Sequence, residues 1–512
     1  MVVKADHLRL VKGWCNSVRT LGKSVLNFRP VVRAHMLITL VVGVMTVAVA
    51  FLGFDSKSLL YPCSVVYALL IVWIVWSWKQ TSGSVLSAYL LFVLAAAFFN
   101  GGQLLLECIG MNSNGVLGGR FSDETLIRTA TFCVLSLACL HLGAMLAARR
   151  RPSRCVIPTN LGALDDTALK LGLVCCTLSI VPSVLMFRAS LYTVMSTGYF
   201  SLYQRETTTG LNAFQAVLSD LLLPAAFILA AGCSKRRAAR SLSLVLIAAY
   251  CLLNLFLGYR GMATAALSAY AWVWHTRVKH LPVMASIIAG LVLVLCALPM
   301  IGAHREARGA ARLDLSSFIR SLDSYDNPAV ASITEIGGTM STVAYTIQLV
   351  PATKDFELGQ SYVFALLTAL PNVFGTSVHP SIQHGTPSAW LVNAVDLKGA
   401  NAGGGLGYSF IAESYLNFGW FGPLTLIVLG WAVSRLEVWS CERQSAISSA
   451  VVAICIYYGL IYARAETANI VRGLVWYAAI PYALVLLSSR KARRHITSPG
   501  RLKYHRDSPV QL

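Results

Sequence analysis

The feature that most constrains this chain is the length of its uninterrupted apolar runs. A helix needs roughly 20 predominantly apolar residues to cross about 30 Å of hydrocarbon, and the sequence supplies such runs repeatedly. About twelve are legible on that criterion, at 34–54, 59–78, 84–106, 126–148, 168–187, 211–232, 241–257, 261–277, 281–302, 421–439, 446–463 and 470–488. They are rich in Leu, Val and Ala, and none alternates as a barrel strand would. Across 512 residues, 56% are hydrophobic and only 12% charged. That balance excludes a soluble fold. The expected class is an all-α polytopic membrane protein with about 12 transmembrane helices.

The net charge of +20 raises the question of nucleic acid, and its placement argues against it. Basic residues crowd the first 33 residues (Lys4, Arg9, Lys12, Arg19, Lys23, Arg29, Arg33) and the tail 489–512 (Arg490, Lys491, Arg493, Arg494, Arg501, Lys503, Arg506). Between these ends, "ARRRPSR" (148–154), "SKRRAAR" (234–240) and "RVK" (277–279) fall in alternate loops. The positive-inside rule puts all five clusters on the cytoplasmic side. Both termini are then cytoplasmic, and anionic lipid is the partner of this charge. The N-terminal segment lacks an apolar core and a small-residue cleavage site, so no cleavable signal peptide is read there. The 13 cysteines lie mostly in spans or cytoplasmic loops, with Cys63 and Cys108 near the outer face. Neither a zinc site nor a disulfide framework is indicated.

This topology divides the chain into a basic N-terminal segment (1–33), nine spans (34–302), a large outer loop (303–420), three further spans (421–488) and a basic tail (489–512). The loop has no cysteine and nearly balanced charge. Its stretches "STVAYTIQLVP" (341–351) and "SYVFALLTALP" (361–371) are apolar but too short to cross. They are expected to be short helices that dip into the outer leaflet or cover a cavity, since irregular backbone at that depth must be surrounded by protein. A long structured loop of this kind is usually functional.

The ionisable residues gather on the outer side. Arg260 in "GYRG" opens the eighth span, whose N-terminal N–H groups and positive dipole end favour an anion; a snorkelling Arg in a tight turn is the competing reading. "HREARGAAR" brings His304, Arg305, Arg308 and Arg312, and in a helix the three arginines share one face. Guanidinium groups fork onto phosphate oxygens; a solvated basic cap is the alternative. "YARAETANIVRG" crowds Arg464, Glu466 and Arg472 into a short hairpin, where an Arg–Glu pair would equally pin the turn. Glu413 stands alone in "GGGLGYSFIAESYLNFGWFG" (403–422). Apolar burial there would raise its pKa and poise it as a proton acceptor, with Asn417 one turn later to orient it; a structural Glu that ties the loop is the alternative. Glycines 403–405 and 407 would let backbone approach a ligand. His379 and His384 are loop-borne and have no metal-binding spacing. Tyr408, Tyr415, Phe418, Trp420 and Trp390 offer aromatic platforms. The spans themselves are nearly free of charge, with Arg188 and Asp220 as exceptions near the outer end. Diphosphate binders, sugar-like platforms and surrounding lipid together point to a lipid-diphosphate-linked glycan.

The stretch "GGGLGYSFIAESYLNFGWFGPL" resembles the signature of Wzy-type O-antigen and capsular oligosaccharide repeat-unit polymerases. "GYRG" before one span, "HREAR" after the next, an Arg-rich last hairpin and one large outer loop fit the same family. The resemblance implies a GT-C-like membrane glycosyltransferase. It would join undecaprenyl-diphosphate-linked repeat units at the outer face of the cytoplasmic membrane, with a chain-length regulator as partner. It implies that an acceptor hydroxyl attacks the anomeric carbon of the donor and that undecaprenyl diphosphate leaves. Arg260, Arg305, Arg308, Arg464 and Arg472 are then expected to hold the diphosphate. Glu413 first, or His304, would act as base, and Tyr408, Tyr415, Asn417, His379 and His384 would contact the glycan. No metal or other cofactor is needed if arginines carry the diphosphate. The rival classes are an O-antigen ligase-type transferase and a transporter of lipid-linked sugars. A transporter predicts ionisable residues deep in several spans.

Overall fold

The computed structural model describes residues 30–50, 59–148, 163–202, 210–233, 236–282, 285–286, 289–290, 327–370, 379–401 and 403–497. Among these residues every regular element is helical. The expected ninth span and the cluster His304, Arg305, Arg308 and Arg312 lie outside the described residues, apart from the start of that span.

The first five helices are α1 (Pro30–Ala50), α2 (Leu60–Ser82), α3 (Ala88–Cys108), α4 (Asp123–Ala148) and α5 (Ala163–Ser196). Next come α6 (Gly210–Asp220), α7 (Leu222–Gly232), α8 (Arg237–Leu257) and α9 (Arg260–Val273), which runs on into a π-helical turn, Trp274–Val278. Nine helices among the described residues are long and apolar enough to cross a membrane, counting Asn212–Gly232, Phe410–Arg443 and Ala468–Ser488 as one each.

The segment after residue 327 contains the two short apolar stretches read from the sequence, and both fold as helices. They belong to a series: α10 (Pro328–Gly337), α11 (Met340–Leu349), α12 (Gln360–Leu367), α13 (Pro380–His384), α14 (Pro387–Val395), α15 (Leu397–Asn401) and α16 (Phe410–Phe418). Their starts follow local chemistry. Asn327, Ser409 and Thr386 each accept a backbone N–H as N-caps, and prolines occupy the first turns of α10, α13 and α14. α11 does not lie on a surface. Met340, Val343 and Ala344 are fully buried in the same core as α3 and α4. The chain closes with α17 (Gly422–Arg443), α18 (Ala446–Tyr462), α19 (Ala468–Gly473), a π-helical stretch (Leu474–Ala479) and α20 (Ile480–Thr497).

Two cores organise the bundle. One joins α2, α3 and α4 to α11, α16 and α17; the other joins α7, α8 and α9 to α18. α4 and α17 cross with their backbones in contact. A Cβ on Gly143 would meet the carbonyl of Ile427, and one on Gly430 would meet the carbonyl of Leu140. Without a hydrophobic drive between helices in lipid, this close van der Waals approach is what associates them. Cys441, near the end of α17, is disulfide-bonded, while nine other described cysteines are free.

Hydrogen bonds give the bundle a polarity. Arg277, only 3% exposed, pairs with Asp165 at 3.2 Å and donates to the carbonyls of Ala231 and Gln444. Asp165 also accepts the N–H of Ala446, and Arg236 pairs with Asp166. The start of α5, the ends of α7, α9 and α17 and the start of α18 therefore meet at one end. Arg236 and Arg277, from two of the internal basic clusters, stand there. The α8–α9 turn, the α18–α19 hairpin and helices α12–α14 collect at the other.

One expected span is broken. The run 211–232 forms α6 and α7 with Leu221 between them. Pro224 explains the break, since it has no N–H to donate to the carbonyl of Asp220. Asp220 is thereby left at the broken end of α6.

Candidate functional site

A cavity of about 910 Å³ lies among α5–α9, α18–α19 and the loop helices α12–α14, at the end opposite the Arg277–Asp165 pair. Its apolar wall comes from α5 (Met186, Phe187), α7 (Leu223) and α8 and its turn (Leu257, Tyr259). Its polar wall holds Asp220, Asn254, Asn469 and Arg472, with the tyrosines 250, 457, 458 and 477. Ser361, Phe364 and Thr368 of α12 and Thr386 before α14 close it from the loop side. A largely apolar cleft with a few convergent polar groups is the usual form of a ligand site.

Arg472 is the cation that reaches this cavity. It stands in α19 directly before the π-helical stretch, a distortion frequent at functional sites. Among the described residues it makes no hydrogen bond and no contact ion pair, although it lies within electrostatic reach of Asp220, Tyr458 and Tyr477. The other expected arginines are placed differently. Arg260 is the first residue of α9 and forms an ion pair with Glu335 of α10. Arg464 is exposed and stacks over the ring of Phe99 in α3, 5.5 Å from its centroid. Neither side chain lines the cavity, but Tyr259 and Met262, which flank Arg260, do.

Glu413 is 1% exposed and fully engaged. Its Oε2 accepts the Thr467 N–H at 2.8 Å and the Thr467 hydroxyl at 2.7 Å, and its Oε1 accepts the Ser361 hydroxyl at 3.1 Å. Asn417 completes the knot. Its amide donates to Ser361 and to the Glu413 carbonyl, and its Oδ1 accepts the Gly359 N–H. The pair therefore fastens α12 and the α18–α19 hairpin onto α16, one layer behind the cavity wall that Ser361 forms. Glu466 does similar work next door, accepting the Ser388 N–H at 2.7 Å and its hydroxyl at 2.9 Å. Burial raises its pKa above the usual carboxylate range, against the lowering effect of those bonds.

The aromatic and histidine candidates also serve packing. Tyr408 is buried with its hydroxyl on Thr346. Tyr415 is wedged among Phe132, Phe356 and Trp420. His379 bonds to Ser381, which lines the cavity, while its Nε2 is buried without a partner among the described residues. His384 stacks on Phe364, another lining residue, at 4.1 Å. The glycine run 403–407 shapes the chain: Gly403 and Gly407 sit at positive φ, and none of the run lines the cavity.

Among the described residues Arg472 is thus the one expected site residue that lines the cavity, with Glu413, His379 and His384 each one contact behind its wall. Asp220 and the tyrosines 250, 457, 458 and 477 also line the cavity and are not among the expected site residues. Asp220 carried a visible signal, as one of very few charges inside the apolar runs. The tyrosines carried none, since single Tyr residues in spans are common.

Such an arrangement defines a multi-pass α-helical membrane protein with a polar, tyrosine-rich cavity among its helices, built to hold a ligand part polar and part apolar. Residues 35–493 match the family described as O-antigen polysaccharide polymerase Wzy, and the chain belongs to that family. Its members polymerise polysaccharide from lipid-linked repeat units in the membrane. Neither a curated protein nor a solved structure matches the chain.

Proposed function

We propose that this chain polymerises undecaprenyl-diphosphate-linked oligosaccharide repeat units at the outer face of the cytoplasmic membrane. The observation that carries this reading is the cavity at the end remote from the Arg277–Asp165 and Arg236–Asp166 pairs, where Arg472, without a contact ion pair among the described residues, stands among tyrosines and aliphatic side chains. The positive-inside rule makes that end the outer one and leaves both termini in the cytoplasm.

The geometry suits the reaction. A departing diphosphate needs positive charge held in a site of low dielectric, and Arg472 supplies it. Arg260 and Arg464 flank the cavity, and Arg305 and Arg308 belong to the segment that precedes α10; we assign them to guiding the diphosphate inward. The tyrosine hydroxyls and Asn254 offer donors and acceptors for sugar hydroxyls, with ring faces for sugar C–H surfaces. The apolar wall of α5 and α8 suits the first isoprene units of a carrier tail. His379 and His384, through Ser381 and Phe364, set the part of the wall nearest the glycan, and His304 falls in the same outer segment. Juxtaposing donor and acceptor in one site accounts for much of the remaining rate. Glu413 and Asn417 hold Ser361 and the hairpin of Arg472 in place, which makes them positioning residues in this reading.

Deletion of the gene in its own strain, followed by electrophoresis of surface glycans, tests the proposal. A ladder collapsed to one repeat unit on its lipid core is expected. Long polymer accumulating on its lipid carrier would indicate transfer to another acceptor instead. An unchanged ladder would overturn the reading.

A further inference from the structure

We infer that Asp220 is the catalytic base of the reaction proposed above, and the inference rests on that reading. Four observations carry it.

The first is position. Asp220 ends α6 at the break that Pro224 imposes, and its side chain lines the cavity while remaining open to it. A carboxylate at a broken helix inside a candidate span is expensive to keep, and an apolar residue there would pack at lower cost.

The second is its free coordination. Among the described residues no donor is hydrogen-bonded to Asp220. Three other buried carboxylates are occupied: Glu413 by three bonds, Glu466 by two, and Asp165 by the Ala446 N–H and Arg277. Glu357 keeps an Oε2 without a partner among the described residues beside its pair with Lys354, but it does not line the cavity. A general base must have a lone pair to offer, within hydrogen-bond reach of the proton it takes. Glu413 faces Thr467 and Ser361 and has none aimed at the cavity.

The third is its company. The carboxylate lies within electrostatic reach of Arg472 and of the hydroxyls of Tyr250, Tyr457, Tyr458 and Tyr477. Tyr250 and Tyr457 share one hydrogen bond at 3.0 Å, and Tyr477 donates to the Val217 carbonyl. One proton of the Tyr250–Tyr457 couple is left for a substrate oxygen.

The fourth is the gap. Asp220 and Arg472 line one cavity of about 910 Å³ without forming a contact ion pair among the described residues, so neither the base nor the cation is spent on the other. In the step, a hydroxyl of the acceptor gives its proton to an Asp220 oxygen. Its oxygen forms a bond to the donor's anomeric carbon, and the bond from that carbon to the phosphate oxygen breaks. The electron pair leaves on the diphosphate, whose charge Arg472 stabilises. Asp220 later returns the proton to water.

The test uses the purified full-length protein in liposomes with a synthetic undecaprenyl-diphosphate-linked repeat unit. Turnover, substrate binding and thermal melting are measured for the wild type, Asp220→Asn, Asp220→Glu and Asp220→Gly. We expect Asn to lose at least ~100-fold in turnover, the usual scale of general base catalysis, while binding and melting stay near wild type. Glu should recover part of the rate, and added formate should restore measurable turnover to Gly, whose lost side chain leaves room for it. Asp220→Asn turning over as the wild type does would overturn the inference. So would loss of binding in step with turnover, without rescue by formate. Should Asn fail to fold, the Glu variant and the formate response of Gly decide the matter. A wild type that binds the lipid but never extends it would condemn the polymerase reading itself, not the choice of Asp220.

Discussion

Replacing Glu413 separates a clamp from a catalyst. In Glu413→Leu three donors lose their acceptor. The Thr467 N–H is fixed by the backbone and cannot turn elsewhere; half-buried, it is left short by about 1–2 kcal/mol. The Thr467 hydroxyl retains Tyr462 as a partner at 2.9 Å, and the Ser361 hydroxyl still accepts from Asn417. Each of those lost bonds is therefore worth only about 0.5–1 kcal/mol. The total is about 3 kcal/mol. Glu413→Gln keeps one oxygen for Thr467 and turns an amide toward Ser361, whose hydroxyl can rotate to accept it, so the expected loss is about 1 kcal/mol. Thermal melting of the purified protein in detergent should rank wild type above Gln and Gln well above Leu. Polymer output in the deletion strain should follow the same order, with Gln retaining a large share of it. A Gln variant that melts as the wild type does yet makes no polymer would refute this reasoning and put the carboxylate in the chemistry.

Other perturbations address other parts of the account. Arg472→Ala should lower turnover by ~100-fold or more, with Lys restoring a fraction, because a point charge replaces a forked donor; turnover of purified variants checks this. Arg260→Ala should reduce polymer length while Glu335→Ala does not. Equal losses from both would make their ion pair structural, and its partly exposed setting limits that contribution to about 1 kcal/mol. Gly430→Leu should leave little folded protein in the membrane, because its side chain would occupy the place of the Leu140 carbonyl; detergent size-exclusion chromatography reads this directly. Glu466 has a pKa raised by burial, so the folded state holds its proton more tightly than the unfolded chain. Its contribution is therefore full below the ordinary glutamate range and falls as pH rises through the raised value. Melting temperatures measured against pH should fall less steeply over that window in Glu466→Gln than in the wild type.

The helical class was legible because lipid leaves few alternatives. Runs of apolar residues announce spans, and alternate basic loops announce their ends, which the Arg277–Asp165 and Arg236–Asp166 pairs then gather together. The short helices at 340–349 and 360–367 were equally legible from their length. That α11 is buried between α3, α4 and α16 was not, because tertiary burial leaves no period distinct from that of a surface helix. The site was legible only in part. Clustering of charge singled out Arg472, which lines the cavity, and gave the same weight to Arg464, which rests on Phe99. Glu413 drew attention because it was a lone acid in apolar sequence, yet that pattern is shared by a clamp and a base. What separates them is the number of donors each carboxylate faces, and those donors come from residues 50 or more positions away, as Ser361 and Thr467 do. Asp220 has the opposite signature, an acid in a span with no hydrogen-bond donor among the described residues, which only the assembled helices reveal.

The most direct test of the central claim is reconstitution. Purified protein in liposomes, given one synthetic undecaprenyl-diphosphate-linked repeat unit, should produce a ladder of lipid-linked oligomers and release one undecaprenyl diphosphate for each bond formed. Substrate that is bound or moved across the bilayer but never lengthened would contradict it.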